Sequence, residues 1–327
     1  MSRTSIKLWL PFALGMSLFS WLMFSQPAAG GQAKVNLAAP DPAYLPIISR
    51  DYPWGLAPLN RYRSQAGLPI LQNDPDWSGG AAQHAVYMVK TDQLVATQDR
   101  VAFPQWYSDE GNYAASRSLL LVTDTVASTA DWAVDFWMRS PFQALSLLDP
   151  ELRSAGFGTY AEADGGVQMA AVANVLSGWQ AGAPAGVSYP SLWPGRNASV
   201  GLRSYSGADN PDPRLAPNCA NAQGLPLLIQ LGDGSIQGER LAAVNPTLIT
   251  NAGGPLAHCA FSATEYPANT SDGNYGKLLL DTRDAIVLLP LAPLAAGQTY
   301  TVSVTALVNN APVAVNWSFS VAAAAGP

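Results

Sequence analysis

Leu59-Asn60-Arg61-Tyr62-Arg63, then Gly67-Leu68-Pro69-Ile70-Leu71, Asp74-Pro75 and Ala81-Ala82-Gln83-His84-Ala85 with Tyr87-Met88, is the stretch on which the fold turns. Leu56, Leu59, Tyr62 and Arg63 occupy one side of a helical repeat that begins near Tyr52, and Gly67-Leu68-Pro69 ends it. A second helix follows with strong punctuation. Asp74 can cap it and Pro75 suits its first position, where a missing N–H does no harm. Trp77, Ala81, Ala85, Met88 and Val89 then recur every three or four residues, an apolar stripe for a core.

Downstream, the spacing predicts a third helix over Tyr113 to Leu121. A fourth follows Thr123-Asp124, with Val126, Ala130, Ala133 and Trp137 on one face and Pro141 as its end. Asp149-Pro150-Glu151 repeats the cap-and-proline device for a short turn. Ala155 to Tyr160 and Val167 to Val175 read as strands joined through Asp164-Gly165-Gly166. Helices first and strands second point to an α+β layered unit rather than repeated βαβ units.

Ala181 to Pro194 is rich in Ala, Gly and Pro and carries no charge, so 181–205 reads as a linker. The pattern then changes to short strands: Leu225 to Leu231, Arg240 to Val244, Cys259 to Thr264, Ala285 to Leu289, Tyr300 to Ala306 and Val313 to Val321. In the last, Val313, Val315, Trp317, Phe319 and Val321 alternate with Ala314, Asn316, Ser318 and Ser320, giving one buried and one wet face. Residues 206–323 are therefore expected to form an all-β antiparallel sandwich. Cys219 and Cys259 are the only cysteines, and a disulfide between them is expected. A zinc site with His258 would have three soft ligands where tetrahedral zinc takes four.

Met1 to Ala29 reads as an export signal: Arg3 and Lys7 precede an uncharged run from Leu8 to Phe24, and Ala28-Ala29-Gly30 supplies small residues for cleavage. An uncleaved membrane anchor is the alternative, weakened by Pro11, Gly15, Ser17 and Ser20. Gly30 to Arg50 is expected to be a flexible lead, and no later segment is apolar and long enough to span a membrane. About 290 residues then remain, which suits two domains, 51–180 and 206–323. Charged residues make up 12% of the chain and the net charge is -6, so the basic footprint of nucleic-acid or anionic-membrane binding is missing.

The quoted segments resemble the opening of bacterial CAP domains, the superfamily of cysteine-rich secretory proteins, antigen 5 and pathogenesis-related proteins. The resemblance continues through Trp137-Met138-Arg139-Ser140-Pro141, Leu148-Asp149-Pro150 and Gly156-Phe157-Gly158, and spans roughly Tyr52 to Trp179. It implies an α/β/α sandwich around an antiparallel sheet. Pro290-Leu291-Ala292-Pro293-Leu294, Gly297, Tyr300 and Trp317-Ser318-Phe319 resemble the Ig-like modules that follow some of these domains.

Members of the superfamily often hold a divalent metal in a central groove between two His and two acidic residues. Here the first His position falls in Ala96-Thr97-Gln98-Asp99 and the second is Gln143. Glu110, in Asp109-Glu110-Gly111-Asn112, corresponds to one groove carboxylate. The sequence thus predicts no metal and no other cofactor, because imidazole is what makes such a site grip zinc. His84, the only His of the first domain, is expected to be structural and partly exposed beside the core stripe.

Phe103, Trp106, Tyr107, Trp132, Phe136, Trp137 and Phe142 gather around the suspected groove. Helical spacing assigns Phe136, Trp137 and Phe142 to the core. Trp106 and Tyr107 sit in a loop, where aromatic residues more often meet ligands. The expected function is that of a secreted or cell-surface binding module, not an enzyme, with a groove of Trp106, Tyr107, Glu110 and Gln143 that takes a lipid, glycan or peptide ligand. The alternatives are a metal-independent hydrolase built on Glu110 and His84, and an adhesion or spacer protein.

Overall fold

The computed structural model describes residues 55–163, 165–236, 241–268 and 270–323. The expected export signal, the lead, the start of the first helix near Tyr52, Asp164 of the hairpin and Arg240 lie outside these residues.

Helix α1 (Ala57–Gln65) buries Leu59, Tyr62 and Arg63. Gly67 takes a φ of 73°, and the Leu68 N–H returns to the Arg63 carbonyl, closing the helix end. Arg63 is the unusual member of this face. Its guanidinium is buried and donates to the carbonyls of Pro69, Leu147, Asp149 and Leu152, so one side chain fastens α1 to the loop before the central sheet.

Helix α2 (Pro75–Thr91) starts as its sequence dictates, with the Asp74 carboxylate accepting from the Asp76 and Trp77 N–H groups. At the other end Asp92 accepts from Val167 N–H, which ties the helix to the sheet. Strands β1 (Gln72–Asn73), β2 (Ser118–Thr123), β3 (Ser154–Ala161) and β4 (Met169–Asn174) order as β1-β3-β4-β2, antiparallel except for the β1–β3 pair. Gly156 and Gly158 let α2 lie directly on β3. A Cβ on Gly158 would stand 2.2 Å from the Ala82 nitrogen, closer than atoms can approach.

Helices α3 (Asp109–Ala115), α4 (Ala130–Met138) and α5 (Pro141–Leu147) complete the layers. Ala81, Ala85, Met88 and Val89 pack on Leu120, Tyr160, Ala170 and Val172 at one face of the sheet. Trp137, Met138 and Phe142 join Leu119, Leu121, Ala171 and Ala173 at the other. Helices therefore cover both faces, the α/β/α arrangement.

Two expected boundaries need correction. Ser118 to Leu121, read as the end of a third helix, belongs to strand β2 (Ser118–Thr123), and α3 ends at Ala115. Its leucines are buried on both faces, so the alternation that marks a half-wet strand is absent. Pro141 ends no helix; it opens α5. Likewise α4 is capped by Thr129, five residues beyond Asp124 of the turn taken as its start, and Val126 is exposed.

The second half is built on two sheets. Strands β5 (Ser191–Trp193), β7 (Leu227–Gln230), β10 (His258–Phe261) and β11 (Ala285–Pro290) form one, in the order β10-β11-β7-β5. The other holds β6 (Ser199–Val200), β8 (Leu241–Asn251), β9 (Gly254–Pro255), β12 (Thr299–Val308) and β13 (Ala311–Val321), ordered β6-β13-β12-β8-β9. All pairs are antiparallel except β6–β13. In β13, Val315, Trp317, Phe319 and Val321 are buried as the alternation requires, while Val313 is exposed. Cys219 and Cys259 form a disulfide that holds the loop before β7 to β10.

Residues 181–205, expected as a linker, contribute β5 and β6, with Leu192, Trp193 and Val200 buried in the core. Helix α6 (Ser271–Asp281), capped by Thr270, was not expected among the strands. One hydrophobic core runs through both halves. Tyr62 meets Trp193 edge-on with ring centroids 5.4 Å apart, Phe142 meets Tyr266 at 5.3 Å, and Gln230 Nε2 donates to the Leu148 carbonyl. Arg283 lies 3.2 Å from Asp149 where both side chains are largely buried.

Candidate functional site

The segment after α2 folds back over its buried side, and Gln98 is the centre of what it builds. The Gln98 backbone N–H donates to Asn112 Oδ1, its Oε1 accepts from Ser108 N–H, and its Nε2 donates to His84 Nδ1. Those bonds hold the segment against the start of α3, which Ser108 caps. Both polar atoms of the side-chain amide thus have partners within the fold.

His84 is fully buried, not partly exposed as the helical spacing suggested, since the 95–98 segment covers it. Because Nδ1 accepts from Gln98, Nε2 carries the proton and donates to the Val95 carbonyl at 2.8 Å. Burial pushes its pKa down to about 4, with the Val95 bond opposing the shift. His84 is therefore neutral across the physiological range.

The sign of the resulting pH dependence follows from where the proton goes. Unfolded His84 binds a proton below about pH 6.5, whereas the folded side chain does so only near pH 4. Stability contributed by this residue is full above the unfolded value and falls as pH drops through that window, by about 3 kcal/mol in all. Burial raises the pKa of Asp209 in the opposite sense, so the clean measurement is a difference. Wild type minus His84→Gln in urea unfolding at pH 7 and at pH 4.5 should shift by about 2 kcal/mol or more. Equal pH dependence of the two proteins would show that His84 is not held neutral.

Trp106 and Tyr107 stand half-buried on the turn that precedes α3, and Glu110 is exposed in its first turn. Lys90 lies over the Trp106 ring at 5.4 Å and Arg100 over the Tyr107 ring at 4.4 Å. The Tyr107 hydroxyl donates to Asp109, which also pairs with Arg100 and pushes the phenol pKa up. The face thus combines flat rings, two cations and two carboxylates, all within the run 90–110.

Gln143 lies on α5, which packs against α4, α6 and β7. Its Oε1 is buried with no hydrogen-bond partner, and no described bond or ring contact joins it to Trp106, Tyr107 or Glu110. The start of α5 is covered by the second half. Ser140 and Ser206 share a hydrogen bond at 2.6 Å, and Arg139 donates to the Ser204 and Tyr205 carbonyls. Asp209 is buried there, with the Phe142 and Asn210 N–H groups its nearest polar neighbours and no well-formed hydrogen bond, and burial holds its pKa well above the usual carboxylate range. Sequence reasoning missed Asp209, because a lone Asp in Gly207-Ala208-Asp209-Asn210-Pro211 reads as a turn.

A superfamily-type metal does not fit these donors. No imidazole stands in Ala96-Thr97-Gln98-Asp99 or at Gln143, where the superfamily's pair would be needed, and His84 has both ring nitrogens bonded. Among the described residues no three His, Cys, Asp or Glu side chains are grouped so as to hold a metal ion.

Also among the described residues, no helix is long and apolar enough to cross a membrane. None of the curated proteins matches this chain. The model of the CAP family, described as the cysteine-rich secretory protein family, matches residues 56–175. That interval holds α1 to α5 and the whole β1-β3-β4-β2 sheet, so the region Leu56 to Val175 is a CAP domain.

Proposed function

We propose that the protein is exported and acts as a non-catalytic binding module, in which the CAP domain presents Trp106, Tyr107 and Glu110 to a carbohydrate-like ligand and the second half is an Ig-like accessory. The observation that carries this reading is the fate of the polar centre. Gln98 and His84 spend their polar atoms on each other and on the backbone, while two aromatic residues remain at the surface of the adjoining turn. Rings edged by hydroxyl, carboxylate and guanidinium groups suit a ligand with both apolar faces and many hydroxyls. The disulfide supports export, since such bonds persist outside a reducing cytosol.

A hydrolase built on His84 and Glu110 finds no support in this geometry. A general base must reach the proton it removes, and both nitrogens of His84 are occupied in the interior. The binding reading is tested with glycan and lipid panels. Trp106→Ala and Glu110→Ala should each weaken the leading glycan hit by about tenfold, equivalent to about 1.4 kcal/mol. Hits confined to the lipid panel would reassign the ligand class, and unchanged binding in both variants would remove the site.

A further inference from the structure

The β12–β13 hairpin turns through Asn309 and Asn310, both left-handed at φ 51° and 64°, and its strands pair without interruption from Val308↔Ala311 to Thr299↔Ser320. In such a ladder the N–H and C=O of one residue point to the same side, and the side alternates along the strand. The outer side of β13 belongs to its even-numbered residues. Ser320 N–H donates to the Ala198 carbonyl, the Ser318 carbonyl accepts from Asn197 N–H, and the Asn316 carbonyl accepts from Arg196 Nη1. There the cover ends. Asn316 N–H, both groups of Ala314 and the Pro312 carbonyl have no partner among the described residues. Ala311, Pro312, Val313, Ala314 and Asn316 are exposed, so the stretch is open to solvent.

Open edges are usually guarded by charge, because an unpaired strand templates another. Here no Lys, Arg, Asp or Glu stands anywhere from Ala285 to Ala323, and Pro312 is the one guard. A proline blocks only those registers that need its N–H. One register does not need it. When two copies of β13 lie antiparallel with Ala314 opposite Ala314, each alanine exchanges both of its bonds with its counterpart, and Pro312 faces Asn316. Asn316 N–H then donates to the Pro312 carbonyl. The bond that proline cannot make would have gone to the Asn316 carbonyl, which Arg196 already fills. A slip toward the turn sets the Ala314 carbonyl against the proline nitrogen, and a slip the other way runs into residues 196–198. On the core face the favoured register sets exposed Val313 beside Val315 of the other copy, which carries the apolar face of β13 across the junction.

We infer that β13 is a self-docking edge: two copies of this chain pair antiparallel through Pro312 to Asn316 about a two-fold axis at Ala314. Such a contact is isologous and closes at two copies. The paired stretch is short, below the area of a permanent interface, so the dimer is reversible, with a dissociation constant on the order of 10 µM.

The test is sedimentation equilibrium of the full chain from about 1 to 300 µM, a range that brackets such a constant. A monomer–dimer equilibrium is expected. Ala314→Pro removes the central N–H donors and leaves the β12 ladder alone, and it should weaken association by about tenfold or more. Ala314→Lys and Ala314→Glu each set like charges opposite one another and should act in the same direction. An equimolar mixture of those two variants should associate at least as well as the wild type. A wild type that stays monomeric throughout overturns the inference, as does growth beyond the dimer, a dimer indifferent to Ala314→Pro, or a mixture no better than its components. If circular dichroism shows that the proline variant has misfolded, the charge pair decides alone, because the Ala314 side chain is exposed. Trp106→Ala should leave the equilibrium unchanged, so this contact and the carbohydrate reading stand or fall separately.

Discussion

Arg63→Ala should destabilise the folded protein by about 4 kcal/mol, the largest effect expected of any single side chain here. The side chain is almost wholly buried and supplies donors to four carbonyls from two distant parts of the CAP domain. Burial lowers its pKa to about 10, with Asp149 opposing, so it remains charged at neutral pH and its hydrogen bonds are charge-assisted. Truncation removes the charge, leaves buried acceptors without donors and opens a cavity of arginine size, and each of these is unfavourable. Arg63→Lys should recover only a minor part, because a compact ammonium cannot reach four carbonyls that a planar fork was shaped to meet. Urea unfolding with an unchanged m-value would measure the loss. A change below about 1 kcal/mol would mean that water replaces the guanidinium at little expense.

Removal of the disulfide comes close behind. Cys219 and Cys259 are separated by 40 residues, and a cross-link over such a loop restricts the unfolded chain by an amount worth about 4 kcal/mol in the loop-entropy model. The Cys219→Ser, Cys259→Ser double variant should lose most of that in equilibrium unfolding. The folded state itself should survive, since β10 keeps its full antiparallel pairing with β11. A double variant as stable as the wild type would show that the reduced chain is already restricted in its unfolded ensemble.

The legible parts of the fold are those in which one local rule acts without competition. Asp74-Pro75 gives a helix start because cap and proline agree, and α2 begins there. β13 alternates from Val315 onward because one of its faces is wet, and its burial follows that alternation. Ser118–Thr123 was misread for the converse reason: helices cover both sides of the CAP sheet, so no wet face remained to impose a period of two. Ser271-Asp272-Gly273-Asn274 looks like a loop and is the first turn of α6, where tertiary packing overrides poor propensity.

The site was legible in what it lacks and opaque in how it is arranged. The lack of an imidazole in Ala96-Thr97-Gln98-Asp99 and at Gln143 could be read directly, yet nothing local tells that residues 95–98 fold over His84 and bury it. Nor does spacing reveal that α5 packs against α6 and β7 of the second half.

The interior shared between Tyr62 and Trp193, and between Leu148 and Gln230, makes the two halves a single inheritable piece. A fragment cut at the family boundary near Val175 would present a greasy flank and a stranded Asp149 to solvent, whereas a chimera that grafts a foreign tail must reproduce that flank's complement. Natural shuffling of this CAP domain would therefore have to carry its downstream strands along.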